Sequence, residues 1–510
     1  MWVSDIQILQ SVRASLARLA ADLAGTESGK AAASQLNAIN IAVGELAARA
    51  DGRTDSLRES CADAKRLATR GAALSAVIEN NAFSARAQAP GEAPQSGLAE
   101  IDASYSITKQ LLTECSLSLS AAIVAGKGDA NWQHEVRAFF LQLAKHDAQR
   151  SALDAATPAI DQGSSKSGEL DVESLKRYFA ACKGTPRLPG PFELIETKPL
   201  AGGFSRQTIL IKVRNSKNEV LPLVIRKQVP NGFLDGACNT LLEEIPFFRL
   251  CNEHKLQVPE LYWHETDASI IDGEFFVVEC MPGGLVGSSY QMAEGIGDDF
   301  LKALAQMMAA IHQIDWTPFE NELRASSRVP EAEPVNASST AMAMVLQFES
   351  YWRKANLEPL PTMELMVDWL KHNIPKNNRN AVLGPGDIGF HNLLVHEGKI
   401  SALLDWETSR LADPARDMSY MYTMVTHYIA WDKFMGWYRE AGGAEIDQAS
   451  LDYYGVFCAF AHIIVCEVAM GDTFPRSGNP NLGYLHLGIP IKAYFFNEML
   501  RDGAPIWGKQ

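Results

Sequence analysis

Between Pro191 and Gly284 the apolar residues change from a helical to a strand-like spacing, and this switch most narrows what the chain can fold into. Before it, apolar positions recur every three or four residues. Ile6, Leu9, Val12, Leu16, Leu19 and Leu23 form one stripe, and Leu36, Ile39, Ile41 and Leu46 form another after a break at 25–29. Further helical patterns follow at 57–82, 101–125 and 131–155. Inside the window, segments rich in Val, Ile, Phe and Leu predict strands at 192–199, 207–213, 221–227, 260–265 and 274–280, with one helix at 238–253. After Gly284 the helical period returns, apart from two short apolar runs at 392–396 and 400–404. The order is helices, a small sheet with one helix, then a mostly helical region: an α+β chain without internal repeats.

Two stretches, 87–97 and 158–168, carry Pro, Gly or Ser without apolar anchors and read as linkers. They predict a helical N-terminal domain at 1–160, a linker and leading helix at 161–184, a sheet-bearing region at 185–284 and a helical region at 285–510. The 46 basic and 61 acidic residues leave a net charge of −15, which repels phosphate backbones and argues against nucleic acid as a partner. The eight cysteines are scattered with no Cys-x-x-Cys pair, so a reduced, cytoplasmic chain is expected rather than a disulfide or zinc scaffold. The first residues lack a basic and then apolar leader, and no apolar run reads as long enough to cross a bilayer, so no membrane partner is expected.

The chemistry concentrates at 384–417. Asp387 and Asn392 lie five residues apart around a tight loop, and Asp405 follows a predicted hairpin whose turn is Glu397-Gly398. Both hairpin arms are apolar and are expected to be buried, and the ends of such a hairpin bring Asn392 and Asp405 side by side. An amide oxygen and a carboxylate are the hard ligands magnesium prefers. Asp387 is then left to accept a hydroxyl proton or orient a nucleophile, which completes the parts needed for phosphoryl transfer. Any one of these residues alone reads as a turn or cap residue; their joint order with Trp406-Glu407 and Asp413-Pro414 favours the site.

Asp-x-x-x-x-Asn, then Leu403-Leu404-Asp405-Trp406-Glu407, then Ala412-Asp413-Pro414-Ala415-Arg416-Asp417 resembles the aminoglycoside phosphotransferase family of small-molecule kinases, over about 185–500. Within it the likeness is to the branch similar to the kinase domain of acyl-CoA dehydrogenase 10/11-type proteins. The resemblance implies a bilobal protein-kinase-like fold, with a nucleotide-binding lobe at 185–284 and a helical lobe from 285. It implies Asp387 as catalytic residue, Asn392 and Asp405 as Mg2+ ligands, and Asp417 as a support of the loop. Pro385 stands where the family usually has a histidine. His312 resembles the family's His-x-x-Asp helix end and is expected to be structural.

The nucleotide lobe follows the same pattern. Gly202, Gly203, Phe204 and Ser205, between two predicted strands, resemble the family's glycine-rich loop, where backbone N–H groups approach phosphate. Arg226 takes the position of the kinase lysine and would grip phosphate in bidentate fashion. Lys227, its neighbour, would face the other side of the strand. Glu244, preferred over Glu243, is the expected ion-pair partner of Arg226. Glu279 and Met281 mark a hinge where backbone groups would bind adenine, between walls from Ile211, Val224, Val278 and Leu394.

These residues predict an ATP- and Mg2+-dependent kinase for a small-molecule hydroxyl, with a hydroxyacyl-CoA as the substrate the branch implies. The alternatives are an aminoglycoside or macrolide phosphotransferase, to which the negative charge is suited, and a nucleotide-binding pseudokinase, which Pro385 motivates. The stripes at 6–23 and 33–48 offer more apolar surface than one hairpin buries, which predicts a role at the acceptor cleft or in a homodimer.

Overall fold

The computed structural model describes residues 56–78, 81–88, 98–155, 171–200, 205–228, 236–287, 296–357, 360–377, 379–469 and 483–508. The stripes at 6–23 and 33–48, most of both linkers, and Gly202, Gly203 and Phe204 lie outside the described residues. The chain divides into two compact units, one of Met1–Ser165, Trp352–His372 and Ala459–Gln510, the other of Lys166–Tyr351 and Asn373–Cys458. The sequence reading placed all of 285–510 together. Packing instead groups 352–372 and 459–510 with the N-terminal helices.

The first unit is helical, with α1 at 56–77, α2 at Leu98–Val124, α3 at Ala130–Ala155 and α8 at Pro361–His372. Specific polar contacts explain the grouping. Buried Asp147 on α3 accepts hydrogen bonds from the Thr362 N–H (3.2 Å) and hydroxyl at the start of α8. Ser120 on α2 donates to Asp368 on α8 at 2.9 Å. Arg137 on α3 donates to the carbonyl of Ile506 at 2.8 Å. A buried amino-acid side chain of this kind needs a partner, and here the partner comes from more than 200 residues away.

The second unit has the α+β, bilobal form expected. Helix α4, Val172–Ala181, is capped by Asp171, whose carboxylate accepts the Ser174 N–H, and it buries Leu175 and Phe179 one turn apart. An antiparallel sheet follows in the order β1-β2-β3-β5-β4: β1 Glu193–Pro199, β2 Arg206–Arg214, β3 Val220–Gln228, β4 Leu261–Glu265 and β5 Phe275–Glu279. All five match the predicted strands. Helix α5, Leu241–Glu253, begins in a capping box between Thr240 and Glu243.

The pleat gives this sheet two faces. Ile209, Ile211, Val213, Leu223, Ile225, Phe275 and Val277 point to one side and pack with Leu175 and Phe179 of α4. Phe276 and Val278 point to the other, into a core shared with α5 and with α6, Asp298–His312. That core extends to α9, Ala415–Thr426, and α10, Trp431–Glu440, through Met418, Met421, Val425, Phe434 and Tyr438. Helix α7, Ala337–Ala355, precedes α8.

Strand β6 (Gly284–Leu285) pairs with β8 (Leu393–His396), which forms a hairpin with β9 (Lys399–Leu403); β7 (Val382–Gly384) pairs with β10 (Arg410–Ala412). The hairpin arms are buried only near their open end, at Leu393, Ala402 and Leu403; the residues towards the turn are half-buried or exposed, less than their composition predicted. Helix α11, Gln448–Val468, is by length and composition long and apolar enough to cross a membrane, which the sequence reading did not expect of any segment. Most of it is buried, as a core helix would be, including Tyr453, Tyr454, Phe457, Phe460 and Ile464. The eight cysteines are unpaired.

Candidate active site

The 384–405 segment folds into a loop clamped from several sides. Gly386 has φ +88°, and a Cβ there would lie 2.1 Å from the Arg416 guanidinium, so the turn requires glycine. Its N–H donates to Oδ1 of Asp417 at 3.0 Å, and His312 Nε2 lies 3.0 Å from Oδ2 of the same carboxylate. The other His312 nitrogen meets the Tyr438 hydroxyl at 2.7 Å. Asp417 and His312 therefore hold the loop, as expected for both. Asp413 accepts the Ala415 N–H at the start of α9 (2.9 Å) and pairs with Arg379 at 2.7 Å.

Asp387 stands at the tip of this loop with both carboxylate oxygens occupied. The Tyr420 hydroxyl donates to Oδ1, and His391 Nε2 lies 3.3 Å from Oδ2. Burial opposes the charged form of His391, yet the bond and charge of Asp387, with Asp405 behind it, raise its pKa above the ordinary histidine value. Asn392 is buried. Its Nδ2 donates to the Asp387 carbonyl at 3.0 Å, which turns Oδ1 away from that carbonyl. The open end of the hairpin closes as predicted: Leu393 pairs with Leu403, and the Leu404 N–H donates to the Asn392 carbonyl at 2.8 Å, which sets Asp405 one residue from that bond. Asp405 has φ +63°, a left-handed conformation that a non-glycine residue adopts at a cost and that clusters at functional sites.

The charged face of the sheet meets this loop. Arg226 sits opposite Thr208 across the β2–β3 pair and donates to its hydroxyl oxygen at 2.8 Å; its other terminal nitrogen lies 3.3 Å from Asp405 Oδ1. Burial works against the Arg226 charge, but Asp405, Glu244 and Glu407 outweigh it and raise the pKa. Lys227 faces the other side, beside Gly273.

Glu244 does not pair with Arg226. Its carboxylate lies 3.3 Å from Arg206, and both side chains are almost wholly buried. The register explains the correction. Arg206 and Thr208 share a face of β2, so Arg206 reaches the start of α5, where the Asn239 carbonyl also accepts from it, while Arg226 is drawn to Asp405. Burial pushes the Glu244 carboxyl up to about 8, and the Arg206 charge only partly offsets this. Glu407 is pushed up to about 7 by burial and by Asp405. Its Oε1 accepts the Ser205 hydroxyl at 2.7 Å, so Ser205 is held by protein.

At the hinge, the Glu279 N–H, which the sequence offered to adenine, is taken by the Glu260 carbonyl at 2.9 Å. Of the expected apolar walls, Val224 and Val278 lie on the cleft side, and Leu394 pairs with Leu285 of β6. Ile211 does not: it belongs to the core under α4, and its neighbour Leu210, half-buried, takes the cleft side of β2.

Residues 196–458, just over half of the chain, match the model of the phosphotransferase enzyme family APH. The chain belongs to this family. Among curated relatives, acyl-CoA dehydrogenase family member 10 of Mus musculus is 26% identical over 265 residues, which cover 50% of this chain and 22% of that protein. Family member 11 of Gallus gallus is 24% identical over 280 residues, 54% of this chain and 33% of that protein. The chain thus spans a third or less of the length of these two relatives. Aminoglycoside 3′-phosphotransferase of Enterococcus faecalis is 23% identical over 204 residues, 40% of this chain and 72% of that enzyme.

Two residues of this phosphotransferase site escaped the sequence reading. Arg206 directly follows the glycine-rich phrase, and its parity with Thr208 marked it for the charged face. Tyr420 lies three residues after Asp417 on α9, on the same helix face. Both signals were present, but neither says which distant group the side chain meets.

Proposed function

We propose that the chain is an ATP- and Mg2+-dependent kinase that phosphorylates a small-molecule hydroxyl. The observation that carries this reading is the convergence of Asp387, Asn392, Asp405 and Arg226 within a family-matched phosphotransferase segment. Among the described residues no cluster of three or more His, Cys, Asp or Glu side chains forms a protein-only metal cage. Magnesium seldom needs one, because it is commonly held by one or two carboxylates together with substrate phosphates. Asn392 Oδ1 and the Asp405 carboxylate fit that description and would hold the ion. When bound, magnesium neutralises charge on the phosphates.

The chain's own groups then have distinct tasks. Arg226 exchanges Asp405 for phosphate oxygens, a charge-assisted contact in either state. The Arg206–Glu244 pair and the Ser205–Glu407 bond fix the strand end that follows the glycine-rich loop. Asp387 accepts the proton of the attacking hydroxyl and orients its oxygen for in-line displacement. Positioning and electrostatics supply most of the rate.

For the acceptor we favour a hydroxyacyl-CoA, on the strength of relatives named as acyl-CoA dehydrogenase family members. The similarity to an aminoglycoside 3′-phosphotransferase supports an antibiotic as the second reading. The test is ADP release by the purified protein with ATP and Mg2+ over a panel of hydroxyacyl-CoAs, aminoglycosides and macrolides. Turnover with a hydroxyacyl-CoA supports the first reading, and turnover confined to an antibiotic the second. Nucleotide binding with no turnover on any hydroxyl compound would replace both with a non-catalytic nucleotide module.

A further inference from the structure

The Tyr420 hydroxyl donates a hydrogen bond to Oδ1 of Asp387, the carboxylate that receives the acceptor's proton in the reaction proposed above. We infer that Tyr420 gates the acceptor position: it occupies a side of Asp387 Oδ1 that an acceptor hydroxyl would take, and competes with water for it while only nucleotide is bound. The inference rests on the kinase reading, because it concerns the same carboxylate.

The tyrosine is presented by a helix. Asp417 and Tyr420 share a face of α9, and that face grips the catalytic loop twice, at the Gly386 N–H and at the Asp387 carboxylate. The second carboxylate oxygen faces His391 at 3.3 Å, and the backbone carbonyl receives Asn392 at 3.0 Å. One flank of the loop packs on aromatic rings. Phe390 is buried, with the Phe300 ring centroid 6.2 Å away and that of Tyr428, just beyond α9, 5.8 Å away. A phenol oxygen already bonded to Oδ1 blocks the approach of a second oxygen along that direction.

Water is the smallest competitor for this position. If it took the place of Tyr420, its oxygen would bond to the γ-phosphorus while the bond from that phosphorus to the β,γ-bridging oxygen broke. One water proton would pass to Asp387 and nucleoside diphosphate would leave, so ATP would be hydrolysed without an acceptor. A true acceptor brings binding energy from the rest of its structure to displace the tyrosine hydroxyl. Water has no such remote contacts. The hydroxyl of Tyr420 therefore discriminates between productive transfer and hydrolysis.

The test is acceptor-free ADP release with ATP and Mg2+ by the full chain and its Tyr420→Phe and Tyr420→Ala variants, alongside nucleotide affinity and thermal melting. Both variants should hydrolyse ATP about tenfold faster than wild type, the rate equivalent of one hydrogen bond to a charged group, with nucleotide affinity unchanged. Adding Asp387→Ala to Tyr420→Phe should remove the gain. With an acceptor in hand, Tyr420→Phe should lower its KM, a change that a purely structural role would not produce. Hydrolysis at or below the wild-type level in both folded, nucleotide-binding variants overturns the gate and leaves the kinase reading in place. Failure of the wild type to bind nucleotide overturns both.

Discussion

The two faces of the five-stranded sheet are built from alternate residues of the same strands and have opposite characters. One face carries Ile209, Ile211, Leu223, Ile225 and Val277, closed over by α4 in an apolar core. The other packs Val224, Phe276 and Val278 on a second apolar core but also carries Arg206, Thr208 and Arg226, turned towards Glu244, Asp405 and Glu407. Along β3 a single step, from Ile225 to Arg226, crosses from one regime to the other. The apolar face gains stability by burying hydrocarbon. The charged pairs return less, since the cost of desolvating ions can exceed what their pairing gives back. What the charged face holds in exchange is a set of polar groups fixed in advance at the place where the proposed function has phosphate arrive.

The difference can be broken most sharply at Asp387, across from the charged face. Asp387→Ala should slow phosphoryl transfer by roughly 10²- to 10⁴-fold, the usual worth of a positioned acid or base, with fold and nucleotide affinity retained. A steady-state rate near wild type on the acceptor would remove Asp387 from the mechanism.

Next come two neighbours on β3. Ile225→Ala, at a fully buried site, should lose about 2–5 kcal/mol of stability in denaturant melts, yet bind nucleotide normally well below its melting temperature. Arg226→Met should do the reverse, keeping most of its stability while nucleotide affinity falls roughly 10- to 100-fold, the value of one charge-assisted hydrogen bond. If calorimetry found both variants changed in the same property, the faces would not be separable in function.

The smallest effect is one of pH. Glu244 is raised to about 8 in the folded protein, from an ordinary carboxyl near 4.5. Between those values the native state holds a proton that the unfolded state has lost, so stability falls as pH rises through this window and levels off above it. Glu244→Gln, neutral throughout, should melt with a flatter pH dependence from pH 5 to 8. An unchanged slope would mean that Glu244 stays ionised beside Arg206.

Much of this was legible in the chain itself, for local reasons. The strands announced themselves by composition and spacing. The turn at Glu397-Gly398 takes positive φ at both residues (+50° and +77°), as a two-residue hairpin turn demands, and that turn sets Asn392 next to Asp405. What escaped was decided at a distance or by parity. A one-residue choice separates Ile211, in the α4 core, from Leu210, on the cleft side, and such a choice reverses the face. The Arg206–Glu244 pair joins residues 38 apart through the tertiary fold. Helix α8 is tied to the helical unit in part by Asp147, 215 residues from Thr362. No periodicity encodes contacts of that range.

In the proposed function the charged face and the 387–405 loop form one magnesium–nucleotide site. Calorimetric titration of ATP, with and without Mg2+, into wild type, Asn392→Ala, Asp405→Ala and the double variant tests it most directly. Wild type should bind ATP more tightly with Mg2+, and each single variant should lose this gain. The double variant should lose less than the sum of the singles, because two ligands of one ion are not independent. Magnesium-independent binding in wild type, or strictly additive losses, would contradict a shared metal site.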